Sequence, residues 1–203
     1  KVYVFCGDGC LMEGISQEAI SLAGHLKLNN LILIYDNNNI SIDGPTDLAF
    51  SDNTNLRFKS VNWEVHSGKG HDHKNIYKLL KKAQVSKVPC LLNFKTTIGF
   101  GSPNKSAKAS SHGSPLGSEE VKLTRSKLSW NEKPFQIPDK LLKIWRNSST
   151  KNLQTYKKTK SISHTTLSNN DIDKLFNKIQ IDLKDFKSDQ ATRKSSEAIL
   201  HYF

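Results

Sequence analysis

The sequence predicts an α/β fold: a parallel sheet with flanking helices, followed by a helical or irregular linker segment. Short apolar runs alternate with stretches in which apolar residues recur every three or four positions, as strands and helices require. The runs Val2–Cys6 and Leu31–Tyr35 are almost wholly apolar, which is typical of strands that are covered on both faces. Residues 148–170 are polar and weakly patterned, and this stretch predicts the linker.

The predicted elements follow one another in the order expected of a parallel sheet. The first two strands enclose a helix over Glu13–Leu28, in which apolar residues recur at helical spacing. A third strand is predicted at Trp63–Ser67 and a fourth at Pro89–Thr96. Between them, Asp72 is a suitable N-cap for a helix over His73–Val85. Strands that alternate with helices favour parallel pairing.

A long loop follows the fourth strand. Ile98–Gly117 is rich in Gly, Ser and Lys and contains His112, and loops of this length inside a compact domain are usually functional or disordered. Helices are predicted over Ser118–Leu128, Pro138–Asn147 and Asp171–Ile179, and a new element is predicted to begin near residue 192.

The charge and hydropathy of the chain argue against two kinds of partner. The net charge is +11 over 203 residues, with net −3 in residues 1–60 and net +14 in residues 61–203. The lysines of the basic part are dispersed among Asn, Ser and Thr, which favours a solvated surface over a nucleic-acid interface. No stretch approaches the roughly eighteen apolar residues of a membrane span. We therefore expect no nucleic-acid partner and no membrane partner.

Cysteine usage predicts a reducing compartment. Cys6, Cys10 and Cys90 are too few for a disulfide framework and lie in or beside apolar runs. With no visible signal peptide, these thiols predict a cytoplasmic location. The chain begins with Lys1 inside a predicted strand and ends in an apolar pattern without a cap. We therefore expect a piece of a longer protein, in which a targeting segment could precede the first residue.

Polar residues follow the first two predicted strands at the point where each strand ends. Asp8 lies in a Gly-Asp-Gly turn, and Asn38 follows thirty positions later in an Asn-rich turn. Neighbouring parallel strands end at one edge, so both side chains are expected in one crevice. Mg²⁺ prefers oxygen ligands and often binds substrate phosphates, and the Ile40 carbonyl is a third candidate ligand. Gly9 lets a phosphate approach the backbone, and the helix starting near Glu13 directs its positive end there. The crevice is predicted to hold a cation and a diphosphate.

Six blocks of the sequence, in the same order, closely resemble the transketolase family of thiamine-diphosphate enzymes. They are Gly7–Ala19, Leu22–Leu28, Ile40–Gly44, Thr96–Ser102, Ser111–Leu116 and Ala191–Glu197. The Gly7-Asp-Gly triplet, followed about thirty residues later by Asn38, is the signature of these enzymes. One departure is conservative, because Asn37 stands where the family usually has Asp or Ser.

The resemblance implies a domain organisation. Residues 1–147 are expected to be part of the diphosphate-binding domain, a partial thiamine-diphosphate-binding fold. Residues 148–190 would be a linker or helical extension, and residues 191–203 the truncated start of the pyrimidine-binding domain. A homodimer is implied for the full-length protein, with Glu13 at the contact between its cofactor sites.

The resemblance also implies a cofactor and the residues that bind it. A divalent cation, Mg²⁺ or Ca²⁺, would be bound by Asp8, Asn38 and the carbonyl oxygen of Ile40. Gly9 and Asn38 would contact the diphosphate of thiamine diphosphate, and Ile42 would lie near its thiazolium ring.

Two further residues are implied in substrate binding. His112 would approach both the diphosphate and the reacting sugar and stabilise the sugar's oxygens, so it is the expected catalytic residue. Arg193 would bind the phosphate of a sugar-phosphate substrate. Four other histidines are expected to be structural or surface residues: His25, His66, His71 and His73.

The implied activity is the transfer of a two-carbon ketol unit from a ketose phosphate to an aldose phosphate, as in pentose phosphate or Calvin-type sugar interconversion. The family also uses upstream histidines, a Gly-Pro-Leu segment and a glutamate from the partner subunit's middle domain. This chain lacks all of them, so we expect the chain alone to be inactive. The alternatives are another thiamine-diphosphate enzyme (dihydroxyacetone synthase or a ketoacid dehydrogenase subunit), a non-catalytic basic protein from a split gene, and a split subunit completed by separate chains.

Overall fold

Four strands form a parallel sheet in the first of two compact units. The computed structural model describes residues 1–160, 168–182 and 191–201, and the units are Lys1–Lys133 and Pro134–Phe203. The strands are β1 Val2–Gly7, β2 Leu31–Asn37, β3 Ile40–Ser41, β4 Gly44–Pro45, β5 Glu64–Lys69 and β6 Cys90–Lys95. The sheet order is β1-β2-β6-β5, and every neighbouring pair is parallel. The predicted α/β fold with a parallel sheet is confirmed.

Helices flank this sheet. In chain order they are α1 Asp8–Met12, α2 Gly14–His25, α3 Thr54–Ser60, α4 His73–Val85 and α5 Ser118–Lys127. The short helix α1 contacts β1 and β2, whereas α3 contacts β5, and α4 contacts β5 and β6. The strands β3 and β4 form a separate antiparallel hairpin just after β2.

Side chains of the two central strands alternate between two core clusters, one on each face of the sheet. Ile32 and Leu33 in β2 belong to opposite clusters, and so do Leu91 and Leu92 in β6, as the period of two in a strand requires. One cluster includes residues of α1, α2 and α3, and the other includes residues of α4. The same alternation places Tyr35, near the end of β2, in the first cluster.

The elements with strong local signals form as predicted. Helix α4 spans the predicted residues, and the Asp72 carboxylate accepts hydrogen bonds from the backbone N–H groups of Lys74 and Asn75 at 2.9 and 3.1 Å. The predicted strands at Trp63–Ser67 and Pro89–Thr96 are β5 and β6, with ends shifted by one or two residues.

Two predictions near the N-terminus are wrong in detail. The predicted Gly-Asp-Gly turn is the start of a helix, since Asp8 is the first residue of α1. The predicted helix Glu13–Leu28 ends earlier, because Lys27 adopts a left-handed conformation with φ 51° and its N–H donates to the Gly24 carbonyl at 3.1 Å. Neither the β3–β4 hairpin nor α3 follows from the periodicity of the sequence.

Strand β1 is an exposed edge, so the prediction that it is covered on both faces is wrong. It pairs only with β2, and among the described residues no strand occupies its other side. Four successive apolar side chains are 40–76% exposed: Val2, Tyr3, Val4 and Phe5. An exposed apolar edge of this kind is prone to pair with another chain.

Replacing Phe5 with lysine is expected to reduce self-association of the chain. Phe5 is 76% exposed, and burying a phenylalanine in a contact between chains contributes about 1.5–3 kcal/mol, or about tenfold or more in affinity. A charge on the edge also opposes strand pairing. Sedimentation velocity over a range of concentrations measures the effect. Val85→Lys, at an equally exposed position on α4, is the control, and equal effects of both variants would contradict an edge-specific contact.

The described part of the second unit is helical. It contains α6 Asp139–Lys160, α7 Asn169–Asp182 and α8 Thr192–Leu200, and Ile179 is buried within it. Helix α6 continues past the predicted end at residue 147, whereas the predicted helix at 171–179 and the predicted start near 192 are confirmed. Parts of the predicted linker, at 161–167 and 183–190, lie outside the described residues. The domain boundaries at 147 and 190 stay predictions.

No helix within the described ranges 1–160, 168–182 and 191–201 is both long and apolar enough to cross a bilayer.

Candidate functional site

The ends of β1 and β2 bring Asp8 and Asn38 together. In the register of this pair Gly7 lies opposite Asp36, so the residues that follow both strands emerge at the same edge. The Asp8 Oδ2 atom accepts hydrogen bonds from the backbone N–H groups of Asn38 and Asn39, at 3.3 and 3.2 Å. The two residues are therefore in contact through the backbone of Asn38, and a cation site between their side chains stays a prediction.

Asp8 is a buried carboxylate. Only 6% of the residue is exposed, and its Oδ1 atom accepts a hydrogen bond of 2.6 Å from the Tyr35 hydroxyl. Burial is the largest cause that raises the pKa of Tyr35 well above the usual range, and the hydrogen bond to Asp8 and the negative charge of Asp8 add to it. The phenol therefore stays protonated and donates its hydrogen bond. None of the ion pairs formed by the described residues includes Asp8. A buried charge without an opposite charge is costly, and a bound cation would compensate it.

The turn after β2 carries the two other candidate oxygen ligands, the Asn38 carboxamide oxygen and the Ile40 carbonyl oxygen. The Asn38 Oδ1 atom accepts a hydrogen bond from the Ile40 N–H at 2.9 Å, and its Nδ2 group donates to Asp36 at 3.3 Å. Asn39 adopts φ 60°, a left-handed conformation that asparagine tolerates better than most residues. Ile40 lies opposite Pro45 in the hairpin. Because proline has no N–H group, Pro45 cannot donate a hydrogen bond to the carbonyl oxygen of Ile40.

The candidate ligand atoms of Asp8, Asn38 and Ile40 are all oxygens, which suit a hard cation. The set comprises a carboxylate, a carboxamide oxygen and a backbone carbonyl, which suit Mg²⁺ or Ca²⁺ better than a soft metal. Within the described part of the chain, no three His, Cys, Asp or Glu side chains come close enough to form a metal site by themselves. Burial, helped by the charges of Cys10 and Asp8, raises the pKa of Cys6 to about 12, so this thiol stays protonated and is a poor ligand.

The backbone beside Asp8 is open to a ligand. A Cβ atom placed on Gly9 would meet nothing within 4 Å, and Gly9 itself is exposed. A polar cleft of about 440 Å³ lies next to the carboxylate, and its lining includes Asp8, Tyr35, Asn37 and Asn93. An apolar cleft of about 520 Å³ adjoins the strand ends and is lined in part by Gly7, Asp36, Gly70 and Thr96. A diphosphate therefore has space at the strand ends.

The long loop after β6 is held in place by one carboxylate. Glu120 of α5 is buried and accepts hydrogen bonds from the Ser102 hydroxyl and from both the backbone N–H and the side-chain amide of Asn104, the latter two at 2.8 and 2.9 Å. The Ser111 hydroxyl in turn donates to the Lys105 carbonyl at 2.5 Å. His112 follows directly, so the loop that carries it has a defined conformation.

Removing the Glu120 charge is expected to lower stability at neutral pH. Its bonds to Ser102 and Asn104 lower the pKa of Glu120 from 4.5 to about 2. A lowered pKa stabilises the folded chain fully above about pH 4.5, and that contribution is lost as the pH falls towards 2. Glu120→Gln should therefore melt below the parent at pH 7, with the difference shrinking between pH 4.5 and 2. Glu119→Gln, which removes only a surface pair with Lys122, is the control in thermal melts. A constant difference at all pH values would contradict the assignment.

The remaining predicted site residues have different surroundings. Ile42 is 68% exposed in the turn that joins β3 to β4, two residues from Ile40. His112 is exposed and makes no hydrogen bond with Asp8 or Asn38 in the described structure. Arg193 is exposed on α8, in the second unit. The roles of these three residues stay predictions.

Two residues of the site region are missed by sequence reasoning. Tyr35 orients the Asp8 carboxylate, and the available signal was a tyrosine inside a buried strand, whose hydroxyl needs a partner. Glu120 fixes the loop before His112, but nothing in the sequence distinguishes it from its exposed neighbour Glu119. Of the histidines assigned no function, His71 is structural: it accepts the Thr97 N–H at 2.9 Å.

The fold and the crevice define a class of protein: α/β domains that hold a diphosphate at the carboxyl ends of parallel strands. Within this class, the family model described as the thiamine diphosphate binding domain of transketolase matches residues 1–179. The chain belongs to the transketolase family.

Individual relatives agree with this assignment. The chain is 52% identical over 145 residues to the transketolase of Buchnera aphidicola from Acyrthosiphon pisum, and equally to transketolase 2 of Escherichia coli K12; each match covers 70% of this chain and 22% of the relative. A crystal structure of Pichia stipitis transketolase in complex with sedoheptulose 7-phosphate is 39% identical, with a TM-score of 0.72, over 77% of this chain and 24% of that one. The chain thus spans about a fifth of the length of the curated relatives it matches.

Proposed function

We propose that the chain is the diphosphate-binding part of a transketolase that moves two-carbon ketol units between sugar phosphates. The observation that carries the proposal is Asp8, a buried carboxylate without a cationic partner in the described chain, hydrogen-bonded to the turn that carries Asn38 and Ile40. The match to the thiamine diphosphate binding domain supports the cofactor, and the sugar phosphate in the Pichia stipitis relative supports the substrate class.

Residues at the strand ends would anchor the cofactor. Asp8, Asn38 and the Ile40 carbonyl hold Mg²⁺ or Ca²⁺, which neutralises the diphosphate. Gly9 offers its N–H to a phosphate oxygen, because no Cβ keeps the phosphate away. Ile42 gives the thiazolium ring an apolar contact at the hairpin tip. When bound, thiamine diphosphate supplies the nucleophilic carbon that attacks the ketose and accepts the electron pair of the broken carbon–carbon bond.

Two residues of this chain would handle the substrate. His112 donates a hydrogen bond to an oxygen of the reacting sugar and moves a proton to or from it, so the loop held by Glu120 sets its position. Arg193 binds the substrate phosphate, for which a guanidinium offers paired donors.

We also propose the partners of the full-length protein and its location in the cell. The chain alone is inactive, because activity requires the parts of the relatives that this chain does not span. It functions as part of the full-length protein, which is a homodimer. Nucleic acid and membrane are not partners. The three unpaired cysteines favour the cytoplasm.

Calorimetric titration of the chain with thiamine diphosphate tests the proposal. We expect binding that requires Mg²⁺ or Ca²⁺, is abolished by a chelator, and is shared by inorganic pyrophosphate but not by thiamine, which lacks the diphosphate. Equal binding of thiamine, or binding that does not depend on the cation, would contradict the proposed anchor. Salt-sensitive binding to DNA without any binding of the diphosphate would instead support the non-catalytic alternative.

A further inference from the structure

A chain of three amides and a hydroxyl runs across the sheet behind the cation-binding turn. The Asn37 Nδ2 group donates to Asn93 Oδ1 at 3.0 Å, the Asn93 Nδ2 group donates to Asn55 Oδ1 at 2.9 Å, and the Asn55 Nδ2 group donates to Ser67 Oγ at 2.9 Å. We call these four residues the amide chain. None of them belongs to the predicted cation or diphosphate ligands.

The amide chain ties the end of β2 to three other elements. Asn93 lies in β6 and is only 8% exposed, Asn55 lies in α3, and Ser67 lies in β5. Asn37 is the last residue of β2 and directly precedes Asn38. A rigid side-chain link at Asn37 therefore limits how the backbone that carries Asn38 and Ile40 can move.

One atom of the amide chain is left without a partner. The Asn37 Oδ1 atom is buried and accepts no hydrogen bond. A network selected for stability alone would satisfy this oxygen, because a buried unsatisfied acceptor is destabilising. The bond to Asn93 nevertheless holds the Asn37 side chain in this orientation, next to the polar cleft that Asp8 also lines.

The turn that follows is also tied to the hairpin, since the Thr46 N–H donates to the Asn39 carbonyl oxygen at 3.0 Å. Asn38 and Asn39 are held to Asp8 by hydrogen bonds of 3.3 and 3.2 Å, which lie near the upper limit of the usual N–H···O range. Asn39 has φ 60°, a conformation that the unrestrained chain seldom adopts. Holding the turn in this shape before a cation arrives removes part of the ordering cost of binding.

We propose that the amide chain positions the cation-binding turn, so that Asn93 and Asn55 set the affinity for the cation without touching it. This inference rests on the proposed function, because it takes Asp8, Asn38 and Ile40 as the ligands. It assigns Asn37 and Asn93 a positioning role that a purely structural network would not have.

The amide chain can reverse its direction, and this property supplies a rescue variant. In Asn37→Asp a carboxylate oxygen replaces the Nδ2 donor. The amides of Asn93 and Asn55 can each turn by half a rotation, so that Asn93 donates to the new carboxylate, Asn55 donates to Asn93 and the Ser67 hydroxyl donates to Asn55. In Asn37→Leu the amide chain cannot be restored in this way, since a leucine side chain can neither donate nor accept a hydrogen bond.

Terbium luminescence tests this inference on the chain itself. Tb³⁺ replaces Mg²⁺ or Ca²⁺ at oxygen sites and is excited through a nearby tyrosine, and the Tyr35 hydroxyl lies 2.6 Å from Asp8. Asn93→Leu and Asn37→Leu should each weaken Tb³⁺ binding by about tenfold, whereas Asn37→Asp should bind at least as tightly as the parent. Asn152→Leu, at an exposed position of α6, should change nothing.

A second variant and a measurement without cation distinguish a loss of positioning from misfolding of the variants. Asn55→Ala breaks the amide chain at its half-buried end and is expected to fold normally. Without any cation, backbone amide exchange at Asn39 and Ile40 should be faster in Asn55→Ala and Asn93→Leu than in the parent.

The outcomes separate the two proposals. If the parent does not bind Tb³⁺, or if Asp8→Asn binds it as tightly, the proposed function and this inference both fail. If binding requires Asp8 but is unchanged in Asn93→Leu and Asn55→Ala, this inference alone is overturned. Asn37→Asp binding as weakly as Asn37→Leu would also overturn it.

Discussion

Replacing Asp8 with asparagine is expected to raise the dissociation constant for Mg²⁺ by about a hundredfold or more. Two unit charges about 4 Å apart interact by about 4 kcal/mol at an effective dielectric constant of 20, and a divalent ion doubles this. Even if solvation cancels most of that energy, the remaining 2.7 kcal/mol corresponds to about a hundredfold. Asparagine also places an NH₂ group either against the N–H groups of Asn38 and Asn39, which both donate to Asp8 Oδ2, or against the Tyr35 hydroxyl, which donates to Oδ1.

Competition between Mg²⁺ and Tb³⁺ measures this effect. Asp47→Asn is the matched control, because Asp47 lines the same polar cleft but is exposed. Its removal should change the affinity by less than about threefold, as expected for a screened surface charge. If both variants lose affinity equally, the cleft attracts cations by its overall charge, and Asp8 is not the anchor.

Replacing Gly24 with alanine is expected to destabilise the chain by about 3 kcal/mol, although alanine is the better helix former. Gly24 lies in the last turn of α2, where a Cβ atom would overlap the backbone carbonyl oxygen of Val61 and approach the Trp63 ring to 3.2 Å. A backbone atom cannot turn away as a flexible side chain can. The helix would have to move off the core, where the Trp63 Nε1 group donates to the Ile20 carbonyl at 2.9 Å.

Thermal or urea unfolding checks this prediction, with a loss of about 10 °C in the melting temperature expected for a chain of this size. Gly14→Ala is the control within the same helix, because a Cβ atom on Gly14 meets nothing within 4 Å. That variant should be neutral or more stable by up to about 1 kcal/mol, following helix propensity. A stable Gly24→Ala variant would show that α2 does not pack as closely on Val61 as described.

The sequence predicts a structural feature correctly where the cause of that feature is local. Asp72 caps α4 because a side-chain oxygen reaches N–H groups two and three residues away, and that relation can be read from the sequence. The meeting of Asp8 with Asn38 was also predictable, since adjacent parallel strands end at one edge of the sheet.

Features whose cause is distant along the chain could not be predicted from the sequence. The apolar residues of β1 are those of a buried strand, but exposure depends on what packs against the strand, which its own sequence does not state. The same holds for the amide chain, in which Asn37 and Asn93 are 56 residues apart and Asn93 and Asn55 are 38 apart. The resemblance to a family supplies candidate residues, but it does not identify the neighbours, such as Tyr35, that fix their geometry.

A crystal structure of the chain grown with Mn²⁺ and thiamine diphosphate would show whether Asp8 anchors the cation, because the anomalous signal of Mn²⁺ locates the cation independently of any assumed ligand. We expect one strong peak about 2.1–2.2 Å from a carboxylate oxygen of Asp8, the Asn38 Oδ1 atom and the Ile40 carbonyl oxygen, with diphosphate oxygens on its open side. A strong peak elsewhere with none beside Asp8, or a diphosphate bound away from the ends of β1 and β2, would contradict this expectation.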